Sequence, residues 1–115
     1  MYRYRKLALM RFHHTAVQVD CVETSIGWYV ENLRAKVLKQ HDDWAMLLVY
    51  SLCLALIKRG THPDHISFIV EDLNEFPCEK IDIKEHRDGS LYYYQQTPDG
   101  NVIEWLFWPK RETVI

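Results

Sequence analysis

The chain has 115 residues, the size of one ordinary domain, and its 48% apolar and 26% charged content excludes a disordered chain. Its formal net charge is −2 and no Lys/Arg stripe interrupts it, which sets nucleic acid aside as a partner. Cys21, Cys53 and Cys78 are odd in number, far apart and without a CxxC pair, so neither a disulfide framework nor a structural zinc knuckle is expected. They read as three small buried hydrophobes in a reducing, cytoplasmic setting.

Residues 1–10 read as an N-terminal extension: YRYRK followed by LALM, whose apolar part is too short for a signal peptide core or a membrane span. Met10 is a second candidate start. Residues 11–109 read as one domain and 110–115 as a C-terminal tail. No membrane association is expected, because the longest uncharged run, Trp44–Ile57, has only 14 residues. It reads better as two buried strands.

The first strand carries His14, Ala16 and Gln18 on one face and Thr15, Val17 and Val19 on the other, because side chains alternate along a strand. The alternation turns His13 away from His14. Cys21–Leu33 follows as a helix with Val22, Ile26, Tyr29, Val30 and Leu33 on one stripe. Asp20 is its expected cap, with Glu23 completing a capping box; Trp28 and Tyr29 fit its packing face. Strands are expected at Ala35–Gln40, Trp44–Tyr50 and Leu52–Lys58.

The pattern then begins again. His65-Ile-Ser-Phe-Ile-Val-Glu-Asp-Leu73 echoes His14-Thr-Ala-Val-Gln-Val-Asp-Cys-Val22 at an offset of 51 residues. His65 and Ser67 share a face, as His14 and Ala16 do, and a small neighbour beside each histidine leaves room for a ligand. Glu71–Glu79 is a short helix or turn interrupted by Pro77. Ile81–Glu85, Leu91–Gln96 and Val102–Trp108 complete the strands. The turn Thr97-Pro-Asp-Gly-Asn101 makes the last two a hairpin. The order is β-α-β-β-β twice, with modules at about 11–60 and 61–109.

Val102-Ile-Glu-Trp-Leu-Phe-Trp108 holds one carboxylate among apolar and aromatic residues, and a buried carboxylate is costly unless paired or bound to a cation. If an approximate two-fold relates the modules, the strands bearing His14 and His65 meet at the centre and Glu104 converges on them. Two imidazoles and a carboxylate make a facial triad with open coordination positions. Iron(II) or manganese(II) is the first expectation for the divalent metal ion; zinc, nickel and cobalt also suit the donors.

Four stretches resemble the vicinal oxygen chelate superfamily of glyoxalase I, bleomycin and fosfomycin resistance proteins and extradiol dioxygenases. They are His14-Thr-Ala-Val-Gln-Val19, Ser25-Ile-Gly-Trp-Tyr29, Asp64-His-Ile-Ser-Phe-Ile-Val70 and Pro98-Asp-Gly-Asn-Val-Ile-Glu104. The resemblance runs from Arg11 to Pro109. It implies an α+β fold, two βαβββ modules forming a cup-shaped, partly open mixed β-barrel. It implies metal ligands at His14, His65 and Glu104, with a fourth position at Ala55. Glyoxalase I enzymes carry glutamate there, so the surviving set is closer to that of extradiol dioxygenases and fosfomycin-type transferases. Ala16 departs from the threonine usual in the latter. Tyr94, ten residues before Glu104, matches an active-site tyrosine of dioxygenases. A homodimer is implied as well.

The expectation is a metal-dependent enzyme of the glyoxalase/dioxygenase type, acting on a small oxygenated molecule by dioxygenase-like, lyase, isomerase or transferase chemistry. The alternative is a metal-free binding or resistance protein of the bleomycin-binding type. His86 and Arg87 read as solvated turn residues, His62 as an exposed loop histidine, and Trp105 and Trp108 as core or dimer contacts.

Overall fold

The computed structural model describes residues 10–109. All but the last residue of the expected 1–10 extension, and the 110–115 tail, lie outside the described residues. In chain order the elements are β1 (Arg11–Val19), α1 (Val22–Leu33), β2 (Lys36–Gln40), β3 (Trp44–Val49), β4 (Leu52–Lys58), β5 (His65–Ile69), β6 (Lys84–Glu85), β7 (Leu91–Gln96) and β8 (Val102–Phe107). Short 3-10 turns occupy Leu73–Glu75 and Lys80–Asp82.

The strands form one mixed sheet in the order β2-β3-β4-β1-β5-β8-β7-β6. β1 runs parallel to β4 and β5 parallel to β8, while β1 and β5 are antiparallel. The remaining pairs are antiparallel too. The pattern is therefore the same on both sides of the β1–β5 seam. This is the α+β, cup-shaped, partly open architecture that the resemblance implied.

The first module folds as its periodicity dictates. Val22 and Ile26 of α1 are buried against Ala45, Leu47, Val49, Leu54 and Leu56 on one face of the sheet, with Val17, Val19, Tyr29 and Leu33 around them. Each fully buried Val, Leu or Ile contributes about 1.5–3 kcal/mol of burial. On the opposite face, inside the cup, Ala16, Met46, Ala55 and Ile57 pack with Trp44 and Cys53.

Several local expectations are corrected. The residue capping α1 is Cys21, whose side chain makes no capping bond; the Asp20 carboxylate accepts from Arg59 Nε at 2.8 Å instead. Cys21 is exposed and Cys53 and Cys78 half-buried, and all three are free thiols, so Cys21 is no core hydrophobe. Trp28 is 55% exposed and lies edge-on to Tyr29 rather than in the core. In the second module no α-helix follows β5 among the described residues. Asp72 caps a single 3-10 turn through Asn74 N, and Pro77, which has no N–H to donate, follows closely. The expected Ile81–Glu85 strand shrinks to Lys84–Glu85 because its first residues belong to the next 3-10 turn.

Candidate metal centre

Strand register builds the site. His14 of β1 lies opposite Ser67 of β5, Ser67 opposite Glu104 of β8, and Glu104 opposite Tyr94 of β7. His65 stands two residues before Ser67 on the same buried face. The symmetry-related row in the first module is Ala16, Ala55 and Met46, similarly paired across β1, β4 and β3. The second module is polar where the first is apolar, and Ala55 is the structural counterpart of Glu104.

Three donors converge. Glu104 Oε1 lies 3.4 Å from His65 Nε2 and 3.7 Å from His14 Nε2. The three ligand atoms lie within 4.8 Å of one another, and this is the one such set among the described residues. Ligands about 2.1 Å from an ion stand roughly 3.0–3.5 Å apart in octahedral or tetrahedral geometry, so small side-chain movements suffice to close around one. All three residues are buried, Glu104 to 2% exposure.

The outer atoms of the imidazoles are also arranged. His65 Nδ1 donates to the carbonyl of Pro63 at 2.7 Å, which leaves the Nε2 lone pair facing Glu104. His14 Nδ1 lies 2.6 Å from His13 Nδ1, so one proton is shared between them. With that proton on His14, its Nε2 lone pair also faces the carboxylate. Burial holds His14 down to about 3; Glu104 opposes this and His13, His65 and His86 reinforce it. His14 is therefore neutral at physiological pH, as a metal-binding imidazole must be.

Burial pushes the Glu104 carboxyl up, but the neighbouring imidazoles of His65, His86 and His14 outweigh it. The group stays ionised, below the usual carboxylate range. Ser67 Oγ donates to Oε1 at 2.7 Å and His86 Nε2 donates to Oε2 at 2.8 Å. Tyr94 lies over His65, with ring centroids 5.2 Å apart, and its hydroxyl shares a 2.8 Å hydrogen bond with His62 Nδ1. Burial, then the Glu104 charge, pushes the Tyr94 phenol well above its ordinary value. Burial and the nearby His86 push His62 down.

The structure brings His14, His65, Glu104 and Tyr94 together and adds four residues that the sequence reading set aside or gave no role. His13 was expected to point away, but β1 bulges between Phe12 and His14 and both histidines are buried together. His62 is half-buried against Tyr94 rather than exposed, and His86 reaches Glu104 rather than solvent. Ser67 was read only as a small neighbour. Arg87 remains an exposed residue, paired with Asp43 at 2.8 Å. Trp105 donates to Gln95, and Trp108 lies against His13. Five of the six histidines gather here, a concentration that counting alone could have flagged.

No protein-family model matches the chain, and no curated protein matches it. Solved structures do. A glyoxalase/bleomycin resistance protein/dioxygenase superfamily member from Vibrio splendidus is 15% identical, with a TM-score of 0.62 over 85% of this chain and 98% of that one. Methylmalonyl-CoA epimerase from Mycobacterium tuberculosis is 13% identical, with a TM-score of 0.68 over 87% and 89%. A hypothetical protein from Bacillus halodurans is 14% identical, with a TM-score of 0.69 over 90% and 98%. At these identities the likeness establishes the fold, that of the vicinal oxygen chelate proteins, and leaves the activity open.

Proposed function

We propose that this chain is a metal-dependent enzyme acting on a small oxygenated molecule, with His14, His65 and Glu104 holding one divalent ion. The observation that carries the reading is the convergence of three buried donor atoms with the far nitrogen of His65 fixed by a backbone carbonyl. Iron(II) or manganese(II) is the first expectation; zinc, nickel or cobalt also suits two imidazoles and a carboxylate. When bound, such an ion supplies a Lewis acid for adjacent substrate oxygens or, as iron(II), dioxygen chemistry.

The chain's own residues supply the rest. Tyr94 keeps its proton at neutral pH and is placed to donate a hydrogen bond to a substrate oxygen as negative charge develops there. His62 fixes the direction of that hydroxyl. The epimerase and dioxygenase names of the structural neighbours suit both the proton-transfer and the oxygenase branch of the proposal. Free cysteines suit a reducing cytoplasmic setting. A homodimer is part of the proposal: Phe12 and Ile66, on the outer face of the sheet beside the area packed by α1, are 45% and 42% exposed.

One observation favours the second reading, a metal-free binding protein of the bleomycin-binding type. Both oxygens of Glu104 already accept hydrogen bonds, from Ser67 and His86. Titrating oxalate, a two-oxygen chelator, into manganese-loaded and metal-free protein separates the two. Binding to the loaded protein alone is expected for the enzyme; equal binding to both forms supports the metal-free reading.

A further inference from the structure

Glu104 is the point where the site's two shells meet, and its two oxygens face different partners. Oε1 is directed at His14 Nε2 and His65 Nε2, at 3.7 and 3.4 Å. Oε2 accepts from His86 Nε2 at 2.8 Å. The ring of His86 is half-buried and held by its neighbours. It stacks on Tyr92 at 3.7 Å with an interplanar angle of 10°. Its backbone N–H donates to Ser90 O, and its carbonyl accepts from Gly89 N, closing a tight turn in which Gly89 takes a φ of 91°. The next residue, Arg87, is anchored to Asp43. The Nε2 of His86 falls outside the set of donors that lie within 4.8 Å of one another, so His86 is not a fourth ligand in this arrangement.

We infer that His86 is a positioning residue: it holds Oε2 away from the ion, makes Glu104 a one-oxygen ligand, and so keeps a coordination position open for substrate. This rests on the reading that His14, His65 and Glu104 bind a metal. A carboxylate released from such a donor can swing to offer both oxygens, and outer partners of metal ligands typically change affinity by about 10–100-fold.

Two variants divide the roles of the ring. His86→Phe keeps a ring to stack on Tyr92 but has no donor; His86→Gln keeps a donor. Manganese(II) affinity would be measured by calorimetry, and water access to the bound ion by proton relaxivity. The expected result is a 10–100-fold change in manganese affinity for His86→Phe, with lower relaxivity as the second oxygen displaces a bound water. His86→Gln should stay closer to wild type on both readings. Wild-type affinity and relaxivity in a folded His86→Phe protein would overturn the inference. So would His86→Gln behaving like His86→Phe. Failure of the wild type to bind manganese would overturn the underlying metal reading instead.

Discussion

At the residue scale the decisive group is Glu104, a buried carboxylate kept ionised by hydrogen bonds and neighbouring imidazoles. Ser67→Ala removes a donor to it, and a hydrogen bond to a charged group contributes about 1.5–3 kcal/mol. The urea midpoint of that variant should fall accordingly, and an unchanged midpoint would remove Ser67 from the site's supports. The metal-free protein should also lose stability in acid. Burial holds His14 down to about 3 against an ordinary value of 6.5, so between these pH values the unfolded chain binds the extra proton. Stability therefore falls as pH drops through that window, by about 1.4 kcal/mol per unit where His14 dominates. Glu104, also depressed, adds in the same direction below its ordinary 4.5. Urea midpoints at pH 7 and pH 5 check this; equal values would contradict it. His14, His65 and Glu104 were legible because strand alternation and an isolated carboxylate mark them. His62 and His86 were not, because loop residues have no periodicity to say where they point.

At the element scale, β4 and β8 occupy equivalent places, yet one carries Ala55 and the other Glu104. Ala55 is 1% exposed and packs with Ala16 and Met46, so a larger side chain has no room. Ala55→Glu, which supplies the glutamate usual in glyoxalase I, should destabilise the metal-free protein by about 1–3 kcal/mol from overpacking alone, with carboxylate burial adding to it. Thermal denaturation measures this, and an unchanged melting temperature would mean the first module's half of the cup is looser than its packing indicates. The repeat and the strand order were readable from hydrophobic alternation and turn residues. The bulge in β1 was not: a register shift between Phe12 and His14 leaves no trace in a two-residue period, and it reverses the expected direction of the His13 side chain. The capping box at Asp20 failed because Arg59 offers that carboxylate a charged partner.

Across the whole molecule, a two-fold-like pairing of modules surrounds an unsymmetrical interior, apolar in the first module and polar in the second. Among the described residues one α-helix covers one module, and the outer face around Phe12 and Ile66 stays open. No helix among the described residues is long and apolar enough to cross a membrane. If the open face joins two copies, Ile66→Lys should shift sedimentation from dimer to monomer, and a dimer undisturbed by that change would place the contact elsewhere. The most direct test of the metal centre is elemental analysis of protein purified without added metal, then incubated with iron(II) or manganese(II) and desalted, for wild type and His65→Ala. About one equivalent in wild type and loss in the variant is the predicted result for a single ion held by the triad. Less than about a tenth of an equivalent in wild type, or full retention by His65→Ala, would contradict it.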